Sequence, residues 1–167
     1  EDYVDRGRVT ATGKCGQSAY WDLYSDGTLH IHGSGDMDTC AVRTWYTLRN
    51  EIFSLIVSDG IENLPVAAFH ELKKLKSVDI AGSVGSIPYA SFVNMASIET
   101  VKLGEGITSI GDHAFSSCAG LTEITLPDSL TRIDNYAFSS CAALKSLKLP
   151  ESLDSIGPDA FMNCTGL

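Results

Sequence analysis

Two histidines near the N-terminus have the spacing of a metal-binding pair. His30 and His32 stand two residues apart, so in a strand both imidazoles leave the same face and could hold zinc or copper. Such a site needs further ligands, and nothing in the sequence fixes a third. The alternative interpretation makes the pair an ordinary solvated strand face. We expect no cofactor and no metal here.

A second candidate is the acidic pair Asp36 and Asp38, which follows the sequence Gly33-Ser34-Gly35. An Asp-x-Asp pair can bind calcium, but the loop that ends in a bidentate Glu is not found here. Because Gly, Ser and Asp are typical turn residues, a polar turn is the favoured interpretation.

Two cysteines of the N-terminal segment, Cys15 and Cys40, allow two further kinds of chemistry. In an exported protein they could form a disulfide. Either thiol could also be a nucleophile with His30 as its base, which is the basis of a hydrolase hypothesis. No nucleophile motif surrounds either cysteine, and the sequence has no phosphate-binding glycine loop. We therefore predict no catalytic residues and no enzyme.

The remaining cysteines, Cys118, Cys141 and Cys164, are evenly spaced along the chain. Metal ligands must converge on one point. Residues at such an even spacing take equivalent places in successive coils of the chain, where their side chains form a column and run parallel. A disulfide between neighbours is disfavoured for the same reason. We predict buried thiols that pack as small apolar residues.

The spacing of these cysteines is a 23-residue period that organises most of the chain. A fixed period of this length is typical of stacked coils, which form a solenoid. Five copies begin at Ile52, Leu75, Ile98, Leu121 and Leu144, and the register never slips. Each copy carries an apolar residue and a Phe five residues apart, and these Phe residues are Phe69, Phe92, Phe115, Phe138 and Phe161.

Each copy contains the elements of one coil. Its opening L-x-x-I-x-L alternates apolar and polar residues, which predicts one half-buried strand per coil and a parallel sheet across the coils. A Gly or Pro then turns the chain, and a segment with apolar residues three apart follows. The stretch around Ala-Phe is too short for a stable isolated helix, so we predict one helical or 3₁₀ turn there.

The pattern L-x-x-I-x-L-P-x-x-L-x-x-I-x-x-x-A-F-x-x-C resembles the BspA-type leucine-rich repeat, over residues 52–167. The last three copies match closely, while the first two have Leu72 and Met95 in the Cys column. The resemblance implies an α/β leucine-rich-repeat solenoid, with a parallel sheet, one strand per coil and short helical or 3₁₀ turns on its convex side. It also implies a secreted or cell-surface protein of a host-associated microbe, with an adhesion-type binding role.

Residues 1–51 do not follow the repeat. Residues 20–24 and 28–32 are strand candidates around the turn Ser25-Asp26-Gly27, which predicts a β-hairpin. The segment from Cys15 to Met37 also resembles the β-rich segment that often precedes such repeats. We predict a small β-rich cap that covers the first coil, with Trp45 and Tyr46 at the junction.

Composition narrows the classes of partner. The net charge is −9, so the chain lacks the excess of Lys and Arg that nucleic acid or anionic lipid would require. No apolar run approaches the ~20 residues of a membrane span. The chain begins at Glu1 without Met or a leader, and Leu167 opens a further copy. We expect a removed secretion signal and a chain that continues.

A binding surface is expected on the outward positions of the strands, which are the third and fifth residues of each copy. They form one ladder of Ser54, Ser77, Thr100, Glu123 and Ser146, and another of Ile56, Asp79, Lys102, Thr125 and Lys148. We predict a protein-binding module whose partner is a host or matrix protein. Because the ladders lack Trp, Tyr and Arg, a structural spacer with no ligand of its own is the alternative.

Overall fold

The first part of the chain is an antiparallel meander that leads into the solenoid. In the computed structural model, which describes residues 5–167 apart from the side chain of Val42, the strands of this part are β1 Val9–Lys14, β2 Ser18–Tyr24 and β3 Thr28–Asp36. The predicted hairpin corresponds to β2 and β3, with Gly27 N–H donating to Tyr24 O across the turn. β1, which was not expected, pairs with β2 at the edge of the sheet.

The meander and the coils share one sheet. A short helix α1 Val42–Trp45 and a 3₁₀ segment Tyr46–Glu51 connect them. The strands and the other 3₁₀ segment that follow are β4 Ser54–Val57, β5 Ile61–Asn63, β6 Ser77–Ile80, the 3₁₀ segment Gly82–Val84, β7 Ser86–Ile87, β8 Thr100–Leu103, β9 Ser109–Ile110, β10 Glu123–Thr125, β11 Arg132–Ile133 and β12 Ser155–Ile156. The main sheet has the order β1-β2-β3-β4-β6-β8-β10, and β3 pairs in parallel with β4.

The main sheet confirms the predicted one strand per coil in the first four copies. Partners in neighbouring coils follow the period of the repeat, as in the pairs Leu55↔Val78 and Val78↔Val101. These apolar residues point into the core and are buried, while the residues between them face outward. The strand is not formed in the last copy, where the main sheet ends at β10 and residues 144–149 belong to no strand.

A second, smaller parallel sheet was not predicted. It consists of β7, β9, β11 and β12, each of which is only two residues long. Its buried column is Ile87, Ile110 and Ile133, which lie directly opposite one another in neighbouring coils. The sequence pattern showed the apolar residues here, but two residues are too few to show the alternation that identifies a strand.

The Ala-Phe side of each coil consists of consecutive turns, where the sequence suggested a helical or 3₁₀ turn. Residues with left-handed backbone interrupt any helix, such as Ala90 with a φ of 53° and Asn94 with a φ of 58°. The N–H groups of Ala90, Phe92 and Asn94 donate to carbonyl oxygens of the next coil, 2.8–3.0 Å away. Backbone bonding between coils therefore replaces the bonding within a helix.

The Phe residues form a continuous stack through the core. Successive rings lie 5.1–5.5 Å apart, centroid to centroid, and are nearly parallel. Trp45 extends the stack into the predicted cap, because its ring lies 6.0 Å from Phe69 and only 1% of the residue is exposed. Its expected place at the junction is confirmed. The same expectation was wrong for Tyr46, which is 44% exposed with Arg49 over its ring.

Candidate binding face

The outward side chains of the main sheet form one surface, which we call the exposed sheet face. The first predicted ladder is continuous because Ser54, Ser77, Thr100 and Glu123 are paired across β4, β6, β8 and β10. The second is formed in the same way by Ile56, Asp79, Lys102 and Thr125. The last two predicted residues, Ser146 and Lys148, are exposed but lie beyond β10, the last strand of the main sheet.

The ladders are polar and only loosely connected. Ser54 and Ser77 exchange a hydroxyl hydrogen bond of 2.7 Å. Lys102 and Asp79 approach to 4.0 Å, with side chains that are 69% and 52% exposed, so this ion pair adds little stability. These residues line a shallow depression of about 420 Å³. Such a surface can contact a partner over a wide area but contains no enclosed pocket for a small ligand.

The meander extends this face with a group of side chains that the sequence did not identify as a site. We call it the imidazole–tyrosine cluster, and its members are Tyr20, Asp22, Tyr24, His30 and His32. The strand register places them together, because Tyr20 lies opposite His32 and Asp22 lies opposite His30. His30 in turn lies opposite Ile56, so the cluster continues the second ladder directly.

The rings of the cluster are close to one another. The Tyr20 ring lies 6.2 Å from that of His32, and the Tyr24 ring lies 6.5 Å from that of His30. The two imidazole centroids are 5.2 Å apart. The alternation of Tyr, Asp and Tyr in β2 was a usable signal for this face. The pairing of β2 with β3 was predicted, but the continuation of this face onto β4 could not be inferred, since the pairing of β3 with β4 does not follow the period of the repeat.

Polar partners hold the two imidazoles. His32 Nε2 lies 3.1 Å from Asp22 Oδ2, and His30 Nε2 lies 2.6 Å from Ser58 Oγ. Burial, the neighbouring His32 and the positive charge of Arg6 lower the pKa of His30, and Asp22 opposes this only in part. His30 is therefore kept neutral over a wider pH range than a free histidine.

The other candidates of the sequence lie elsewhere. Asp36 accepts a hydrogen bond of 2.6 Å from the Asn63 amide, and Asp38 N–H donates to Cys15 O. The predicted polar turn was wrong for Gly33 to Asp36, which belong to β3, a strand that pairs with β5, whereas Asp38 lies after the end of the strand. Among residues 5–167, no three His, Cys, Asp or Glu side chains are placed to bind a metal ion.

The cysteine column is part of the core. The Cys118 thiol donates to Phe92 O at 3.2 Å and the Cys141 thiol to Phe115 O at 3.2 Å, in the coil before each. Burial raises the pKa of Cys118 to about 12 and that of Cys15 to about 11. Such thiols are poor nucleophiles. Cys15 and Cys40 are free thiols, the first buried and the second exposed.

The coil geometry agrees with a family assignment. The family model for the BspA type Leucine rich repeat region matches residues 45–167 in six copies. The chain belongs to this family. The match has one copy more than the five that begin between residues 52 and 144, and it starts at Trp45, whose ring stacks on Phe69. In this BspA-type chain, the resemblance given by the repeat pattern is therefore confirmed.

Solved structures support the same fold. A leucine-rich repeat protein from Bacteroides ovatus is similar over 100% of this chain and 52% of its own, with 20% identity and a TM-score of 0.56. A leucine rich cell surface protein from Faecalibacterium prausnitzii is similar over 96% and 54%, with 23% identity and a TM-score of 0.54. The BspA-type chain spans about half the length of both. Among curated proteins, no sequence matches it.

Family membership indicates the general role of the chain. BspA-type repeats are protein-interaction or surface modules, typically secreted or at the surface, and typically without enzymatic activity. No helix within residues 5–167 is long and apolar enough to cross a bilayer.

Proposed function

We propose that this chain is a non-enzymatic, secreted or cell-surface module that binds a host or matrix protein through its exposed sheet face. One observation supports this role above the others: the face is continuous across seven strands, from the meander to β10. Solenoids use such regular, extended surfaces for protein binding.

The chemistry of the face is suited to a protein partner. Its ladders offer hydroxyl and charged groups to hydrogen-bonding partners, and its cluster offers tyrosine rings, which carry much of the binding energy in protein interfaces. The net charge of −9 supports a protein partner over nucleic acid.

The test is direct binding to purified proteins. The immobilised chain should bind at least one member of a panel of matrix and epithelial surface proteins in a saturable way. Replacing Lys102 or Lys148 with Glu should weaken that binding about fivefold, since each reverses one exposed charge of the predicted second ladder. Lys74→Glu is the matched control, because Lys74 is exposed outside the ladders and its reversal should change little.

A structural spacer is the second candidate, and the small polar residues of the ladders favour it. A spacer predicts that no panel protein binds and that cell adhesion by the whole surface protein is unchanged by Lys102→Glu and Lys148→Glu. That result would refute the binding role of the exposed sheet face.

A further inference from the structure

The imidazole–tyrosine cluster differs from the rest of the exposed sheet face in the size of its side chains. Tyr20 is 42% exposed, and its ring lies over that of His32. Tyrosines held in place by neighbouring rings lose little conformational entropy when a partner covers them. The cluster therefore has the features of an interface hot spot, which the small side chains of the ladders lack.

Basic groups surround the cluster. The Lys14 ammonium on β1 lies 6.0 Å from the centre of the Tyr20 ring. Arg6 is close enough to His30 for its charge to act on the imidazole. Lys14, Arg6 and the two imidazoles are therefore four groups that can carry positive charge. They lie at one end of a protein whose net charge is −9.

The acidic groups near the cluster already have partners. Asp22 lies beside His32, and Asp26 accepts the N–H of Thr28 at 2.9 Å. Strand β4 and the residue after it present Ile56 and Ser58 to His30, and neither side chain titrates near neutral pH. On the next strand, Asp79 pairs with Lys102. With neutral imidazoles the charges of Arg6, Lys14, Asp22 and Asp26 cancel, and two protonated imidazoles leave a local charge of about +2.

We propose that the imidazole–tyrosine cluster is the main anchor of the exposed sheet face and that it takes an acidic peptide segment of the partner protein, with carboxylates beside the two imidazoles. This inference rests on the proposed binding function and adds to it the chemistry of the partner. The tyrosine hydroxyls and Lys14 can donate hydrogen bonds to the carboxylates, and the rings cover the adjoining apolar atoms.

Binding at this cluster should strengthen as the pH falls. His30 is held neutral in the free protein because burial and nearby positive charge lower its pKa. A carboxylate placed beside it favours the charged imidazole, so the complex takes up protons that the free protein does not bind. The acidic segment should then bind more tightly below the ordinary histidine pKa than above it.

The experiment uses a synthetic peptide of alternating glutamate and serine as the probe, and its glutamine–serine counterpart as the neutral control. Binding is measured at about pH 5.5 and about pH 7.5, where glutamate stays ionised and histidine changes its charge. We expect about tenfold tighter binding of the acidic peptide at the lower pH, a change within the range that two half-exposed charge pairs supply. The neutral peptide should show no such change.

Variants assign the effect to the cluster. The double substitution of His30→Gln and His32→Gln should abolish the pH dependence, and Tyr20→Ala should weaken binding several-fold at both pH values. His70→Gln is the matched control, since His70 bonds to Ala67 O and Glu71 outside the cluster. Circular dichroism during thermal unfolding shows which variants are folded, and only those are compared.

Two results overturn the inference without touching the proposed function. One is equal binding of the acidic peptide at both pH values, and the other is unchanged pH dependence in the folded double variant. The panel of matrix and epithelial proteins tests the proposed function separately. A panel protein that binds with no effect of the cluster variants would place the anchor elsewhere on the face.

Discussion

The stack of phenylalanine rings gives a quantitative test of what holds the coils together. Phe115 is fully buried, with Phe92 at 5.1 Å on one side and Phe138 at 5.4 Å on the other. Replacing a core Phe with Ala costs about 3–5 kcal/mol. Since Phe115→Ala also removes two ring contacts worth ~0.5–1.5 kcal/mol each, we expect a loss near the upper end, about 4–5 kcal/mol.

The last ring of the stack provides the control. Phe161 is only partly buried and has one ring neighbour, Phe138 at 5.5 Å. Phe161→Ala therefore removes one ring contact and less buried area, and we expect a loss of about 2 kcal/mol, half of that at Phe115.

Urea unfolding followed by tryptophan fluorescence measures both losses, because Trp45 belongs to the stack. Equal losses for Phe115→Ala and Phe161→Ala would refute the account in which burial and stacking decide stability. If Phe115→Ala does not fold, Phe115→Leu keeps most of the volume and should cost about 1–2 kcal/mol. A Leu variant as stable as the parent would contradict the account equally.

Three further predictions concern single positions. Iodoacetamide at about pH 8 should label the exposed Cys40 in the native protein. It should label Cys141 only after unfolding, since this thiol is buried and burial raises its pKa. Mass spectrometry of the labelled protein shows which cysteines have reacted. Gly82→Ala should destabilise by about 2–3 kcal/mol in urea, because an added Cβ would overlap the backbone oxygen of Glu105. Gly85→Ala meets no atom within 4 Å, so it tests the backbone alone and should cost about 1–3 kcal/mol, because its φ of +73° and ψ of −39° lie outside the left-handed α region. His30→Gln should reduce the loss of stability on acidification. Because the pKa of His30 is lowered in the folded protein, the parent loses stability as the pH falls through the pKa of folded His30. Thermal unfolding across pH 5–7 measures this, and an equal pH dependence of the parent and the variant would contradict it.

The sequence predicted the fold because the core repeats. Columns such as that of Phe92, Phe115 and Phe138 recur once in every copy, and only stacked coils bury all of them at once. The same period gave the strand register and the outward ladders, since neighbouring residues of a strand point to opposite faces. These conclusions needed no knowledge of long-range contacts beyond the repeat itself.

The cluster was less accessible because it depends on pairing outside the repeat. His30 and His32 could be placed on one face from their spacing, but their contacts with Tyr20 and Asp22 follow from the β2–β3 register. Similarly, Tyr46 and Trp45 are adjacent in sequence, and only the path of the connecting segment decides which of them reaches the core. Local patterns identify the faces of elements, whereas the geometry of connections decides what meets across them.

The direction of the hydrogen bonds between coils has a mechanical consequence. Both the sheets and the turns bond one coil to the next, so these bonds run along the axis of the solenoid. A force that pulls the two ends apart would load them in series and separate one coil at a time, as a zipper opens. Within residues 5–167, the copy that begins at Leu144 has fewer strand bonds to the preceding coil, because residues 144–149 belong to no strand and its bonds are those of β12 and the turns. Under tension the coils should separate one after another and the solenoid should lengthen, which would absorb mechanical work while the imidazole–tyrosine cluster of the meander stays folded.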